Sequence, residues 1–174
     1  MSEMPRTESL PRSTLDHAFD PVRNPELFEG VLSRRILAFL IDAIIVVGPI
    51  ILLAMFIAVF GLITFGIGWF LFGLLAPIFV IWAIVYVGTT LGSPASATIG
   101  MRAMDLEMRL WNGGRMYFLL GAAHAIFFWV LTGAFTPLVL LIGLFNRRRR
   151  LLHDFLTGTV LINNERRAAA LRRP

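Results

Sequence analysis

Arg35-Ile36-Leu37-Ala38-Phe39-Leu40-Ile41-Asp42 is the stretch on which the fold turns: an arginine opens an apolar run and an aspartate lies seven residues inside it. Seven residues is close to two helical turns, so Arg35, Ala38 and Asp42 line one stripe of a helix. Asp42 is the only charged residue inside any of the long hydrophobic segments. An ionisable group in such a run costs on the order of a few kcal/mol unless it faces protein, water or a partner charge. The chain has to supply Asp42 with a partner.

The surroundings of that stretch set the class. Over 174 residues, 57% are hydrophobic and only 16% charged. A soluble domain runs nearer about half apolar and about a quarter charged. The length fits one domain, and the clustering of apolar residues into runs makes it an integral membrane protein. The net charge of +5 sits beside those runs, which fits membrane orientation and not a nucleic-acid partner. Cysteine is absent, which excludes disulfides, thiolate catalysis and cysteine metal sites. Some thirty polar residues precede the first apolar run, so that run is expected to stay in the membrane and not to act as a signal peptide.

Residues 1–30 carry Pro5, Pro11, Pro21 and Pro25 among mixed charges and read as a disordered tail, with Leu27 and Phe28 reaching the membrane surface. The membrane domain runs over 31–163. Its first span, 36–60, would be a helix of about 37 Å against a hydrocarbon core of about 30 Å, kinked at Pro49. An uncharged, glycine-rich connection at 61–68 leads to the second span, 69–87, with Pro77 a further kink candidate. Trp69 and Tyr86 suit its two interfaces. The pair forms an antiparallel hairpin.

Residues 88–115 change character. Met104, Leu106, Met108 and Leu110 alternate with Ala103, Asp105, Glu107 and Arg109, the period of a half-buried strand, and Asn112-Gly113-Gly114 marks a turn. An amphipathic surface helix is the rival reading. A lone strand needs a partner, and Val160-Leu161-Ile162 is the candidate. The third apolar stretch, 116–146, is broken at 132–137. The basic end, 164–174, reads as a second disordered tail. The expected fold is thus an all-α membrane protein: a transmembrane helical hairpin, a further broken or re-entrant apolar hairpin, and a small cytoplasmic β-strand element.

Orientation follows the arginines, since the chain has no lysine. Five lie within 1–35, three within 102–115 and eight within 147–173, with none between Ile36 and Met101. The loop at 61–68 is therefore external, and the N-terminus is cytoplasmic in a multi-pass bacterial inner-membrane protein. Two crossings or a re-entrant hairpin by 116–146 would return Arg147–Arg150 to the cytoplasm, although two full spans need about 40 residues. A three-span protein with an external C-terminus is the alternative.

The candidate site residues each carry two readings. Asp42 is either a proton or cation ligand or half of a structural pair with Arg35 or another arginine. Pro49 frees a backbone carbonyl nearby, which cation sites in broken helices use. His124, in the small-residue patch Gly121-Ala122-Ala123, and His153 are proton-relay candidates or neutral hydrogen-bonded histidines. Arg150 and Asp154 are spaced to pair along a helix. Arg147, Arg148, Arg149 and Arg150 anchor topology and meet anionic lipid head groups. No metal site is expected, because His17, His124 and His153 are too dispersed for ligand spacing. No phosphate loop or nucleophile–base pair is present in the sequence, and no cofactor or enzyme activity is expected.

Arg35-x-x-Ala38-x-x-x-Asp42, Thr98-x-Gly100-x-Arg102 and Leu152-His153-Asp154-x-x-x-Gly158-Thr159, in that order among apolar spans, resemble the RDD family of bacterial membrane proteins over residues 28–163. The family takes its name from an arginine at the start of the first transmembrane helix, an aspartate within it and a second aspartate near the domain's end. The resemblance implies that Arg35, Asp42 and Asp154 form a polar cluster, structural or lipid-interacting. The alternative it implies is a transporter or ion/proton-coupled module with Asp42 as the carrier. Few polar groups lie within the spans, so a pathway would form more easily between protomers of a homo-oligomer.

Overall fold

The computed structural model describes residues 19–145 and 150–172, with the side chains of 132 and 134–145 outside that description. Helix α1 spans Val31–Ile63, and its 33 residues give it a length of about 50 Å. It continues through Pro49, because one lost backbone bond costs less in an apolar setting than a break exposing several polar groups. A turn at Thr64–Gly66, with Phe65 and Gly66 at positive φ, reverses the chain. The return begins as a 3-10 segment, Ile67–Leu74, and becomes α2, Leu75–Leu91. The expected α-helical start at Trp69 is thus corrected. The Trp69 indole lies over Gly61 and donates to the Ala58 carbonyl at 3.2 Å, fastening the tighter segment to the end of α1.

Both arms are long and apolar enough to cross a membrane. Only 11% of the most apolar window of each is buried within the protein. A core helix of a soluble protein would bury that surface, whereas a lipid-facing helix leaves it outside.

The short helix α3, Ile99–Ala103, precedes strand β1, Leu106–Leu110. The expected strand therefore loses residues 103–105 to a helix end and a turn, with Asp105 at φ 55°. Helix α5, Leu152–Leu156, precedes β2, Thr159–Asn163. The two strands pair antiparallel, from Leu106 opposite Asn163 to Leu110 opposite Thr159. Leu106 and Met108 point into a core with Val31, Ala38, Leu91, Met116 and Leu161. Val160 and Ile162, on the other face, pack on Phe28.

Three sequence expectations are overturned here. The third apolar segment is one helical run, α4, Phe118–Phe145, without the expected break at 132–137. An interruption there would leave backbone groups unpaired in hydrocarbon. Arg150 and Asp154 nevertheless lie back at the end where α4 begins, beside His124 and Arg35, so the chain does not finish on the opposite side as a single crossing would require. The N-terminal segment is structured from residue 19: Phe28 is buried, and the Asn163 amide donates to the carbonyls of Glu26 and Glu29 at 2.8 and 2.9 Å. The basic end forms helix α6, Glu165–Arg172, started by the Asn164 side chain accepting from Arg167 N at 3.0 Å. Residues 1–18, Arg147, Arg148 and Arg149 lie outside the described residues.

Candidate functional site

Helices α2 and α4 meet where both are small. A Cβ on Gly121 would lie 3.1 Å from the Leu91 side chain and 3.2 Å from Gly88, so the Gly121-Ala122-Ala123 patch serves the close approach expected of it. This brings the start of α4, the end of α2, the start of α1 and the sheet together at one end of the molecule. By Arg150 the chain is back at that end.

Asp42 is held there by neutral donors. Tyr86 Oη and Thr98 Oγ1 each donate to its carboxylate at 2.6 Å, and Gly100 N donates at 2.8 Å. Thr98 also caps α3 by accepting from Met101 N. Gly100 has to be glycine: a Cβ there would collide with the Ala38 carbonyl and lie 2.8 Å from the Asp42 carboxyl carbon. A carboxylate accepting three donors from α2, the 92–98 loop and α3 clasps α1 to all of them.

Arg35 does not pair with Asp42. Its Nη1 lies 2.6 Å from Asp154 Oδ2 and its Nη2 lies 2.9 Å from Oδ1, a two-pronged contact with Asp154 fully buried. Leu151 N donates to Oδ2 at 2.8 Å. The expected single cluster of Arg35, Asp42 and Asp154 is therefore two separate clasps. Burial alone would raise the Asp154 carboxyl. The Arg35 guanidinium outweighs burial and holds it well below the usual carboxylate range.

Two histidines close over this pair. His153 Nε2 accepts from Arg35 Nη2 at 2.9 Å and lies 3.5 Å from Asp154 Oδ1. Burial depresses His153 to about 4, against the pull of Asp154, so the ring is neutral at pH 7. His124 faces it edge-on, with ring centroids 4.8 Å apart, and its Nε2 lies 3.9 Å from Asp154 Oδ1. His124 thus stands beside Asp154, not Asp42. The dispersal of histidines in sequence is reversed in space: ligand-capable atoms of His124, His153 and Asp154 lie within 4.8 Å of one another.

Arg150 is corrected as well. It is buried, donating to the carbonyls of Thr159 at 2.8 Å and Asp154 at 2.9 Å and lying over the Phe155 ring. It braces α5 against β2 and is not a surface lipid anchor, and it meets the backbone of Asp154 in place of its carboxylate. Tyr86 and Thr98 were missed as site residues in the sequence reading. Tyr86 looked like an interface aromatic, and the search for an Asp42 partner favoured charge.

The family model of the RDD family matches residues 30–158, most of the chain. No curated protein and no solved structure matches it.

Proposed function

The chain belongs to the RDD family, and from that premise we propose that it is a multi-pass inner-membrane component whose Arg35, Asp42 and Asp154 define its fold. The end they organise meets anionic lipid head groups. The carrying observation is the saturation of both carboxylates: Asp42 by three neutral donors, Asp154 by Arg35 and Leu151 N. A carboxylate already satisfied by neutral protein donors, as Asp42 is, offers a transported ion no vacant seat. Arg23 and Arg166 project from the same end, 80% and 81% exposed, where head groups would lie. We assign the protein no enzymatic chemistry. The absence of arginine between Ile36 and Met101 supports a cytoplasmic N-terminus and an external turn at Phe65.

A second reading, ion- or proton-coupled transport through Asp42, has one observation of its own. Pro49 has no N–H for the Ile45 carbonyl, which leaves an oxygen one turn from Asp42 without its helical donor. Asp42→Asn separates the two. The structural reading expects a large fall in melting temperature in detergent. Ion-dependent flux into proteoliposomes that disappears in a mutant of unchanged stability would replace it with the transport reading.

A further inference from the structure

The hydrogen bonds around the second clasp fix where its lone pairs point. A guanidinium only donates, so His153 Nε2 presents its lone pair to Arg35 and the ring proton is on Nδ1. That Nδ1 is buried and has no partner among the described residues. The Thr157 hydroxyl lies 2.8 Å from the His153 carbonyl, 2.9 Å from Thr159 Oγ1 and 3.4 Å from His124 Nδ1. With its proton on Nδ1, the nitrogen that faces Thr157, His124 turns a bare Nε2 towards Asp154. In that tautomer two imidazole lone pairs and a carboxylate oxygen converge, with 3.5 Å and 3.9 Å from the two Nε2 atoms to Asp154 Oδ1. Arg35 Nη2, 2.9 Å from both His153 Nε2 and Asp154 Oδ1, supplies the positive charge to two of the three.

We propose that His124 Nε2, His153 Nε2 and Asp154 Oδ1 form a binding site for a divalent transition-metal ion, in which the metal takes the place held here by the Arg35 guanidinium. Metal–ligand bonds of about 2.1 Å in a tetrahedron put neighbouring ligand atoms about 3.4 Å apart. The two Nε2 atoms lie 3.5 and 3.9 Å from Asp154 Oδ1 and all three ligand atoms fall within 4.8 Å of one another, so the ion would draw them together. Two imidazoles with one carboxylate suit zinc and its neighbours, not calcium or magnesium. The donor set leaves one position open for water or a further ligand. Thr157 Oγ1, 3.4 Å from His124 Nδ1, is placed to accept the proton on the outer nitrogen of a metal-bound imidazole. Arg35 lies near the start of α1 with its side chain 12% exposed, so its head can be released towards the exterior when the ion enters. Metal and guanidinium compete for one seat.

Competition gives the test its sign. Tag-free protein, stripped with a chelator and held in detergent, is titrated with Zn²⁺ by calorimetry and with Co²⁺ by visible absorption. One ion per chain is expected, with Co²⁺ bands of a nitrogen- and oxygen-bound ion. His124→Ala and His153→Ala each weaken Zn²⁺ by more than the roughly 10–100-fold that outer-sphere changes cost. Arg35→Gln, which empties the seat, binds Zn²⁺ at least about tenfold more tightly than the native chain. Where Arg35→Gln does not fold by size exclusion and circular dichroism, Arg35→Lys, which lacks the two-pronged fork, is expected to tighten binding in the same direction. No Zn²⁺ bound above the His124→Ala/His153→Ala double variant overturns the proposal. So does a folded Arg35 variant that binds Zn²⁺ no more tightly than the native chain.

Discussion

Asp42 gathers its three donors from groups without charge, and each is separately removable. A hydrogen bond to a charged group contributes about 1.5–3 kcal/mol, so Tyr86→Phe should lower unfolding free energy in detergent by that amount, read by thermal or chemical melts. Arg35→Ala leaves Asp154 buried and unpaired and should cost about 3–5 kcal/mol. Replacing both partners by Leu should recover much of that loss, because the buried charge goes with its partner. A double variant as unstable as Arg35→Ala would show that the clasp contributes more than relief of a stranded charge. Arg35 and Asp42 were legible in the sequence because a charge in an apolar run needs an explanation. Their pairing was not legible: a helical spacing of seven suggested one stripe, and the neutral donors Tyr86, Thr98 and Gly100 carry no pattern that names an acceptor. The approach of His124 and His153 across 29 residues is likewise a product of tertiary folding.

At the scale of elements, the strand was readable because alternation over Met104–Leu110 fits one face of a sheet and no face of a helix. Its first residues were not, since Thr98 caps a short helix that consumes Ala103. Cysteines at directly opposed positions test the register in this cysteine-free chain. Glu107→Cys with Ile162→Cys places two Cα atoms about 4.5–5.5 Å apart, within bridging range. A disulfide should form on mild oxidation, whereas Glu107→Cys with Leu161→Cys, one residue out of register, should form it less readily. Gly100→Ala tests the joint between α3 and α1. The added methyl meets the Ala38 carbonyl and should destabilise by about 1–3 kcal/mol, read as a lower melting temperature. The unbroken α4 escaped the sequence reading because Thr136-Pro137 signals a stop in water, while an apolar surrounding penalises the stop itself.

The whole molecule is polarised. Between Ile36 and Met101 the only charge is Asp42, and the groups that hold it, the Arg35–Asp154 clasp and the sheet all lie at the opposite end from Phe65. A membrane-impermeant maleimide applied to intact cells should label Phe65→Cys, whose parent side chain is 98% exposed, and spare Arg166→Cys. Labelling of both from the same side would refute a polarised insertion. The pairing of Leu106 with Asn163 also orders events in time. The Asp42 clasp has all its members once Gly100 has been synthesised, but Arg35 must wait for Asp154, 54 residues later. A ribosome stalled anywhere between leaves a membrane hairpin that is closed on one side and carries an unanswered arginine on the other. Such a half-finished chain holds Arg35 without the carboxylate that covers it in the finished fold.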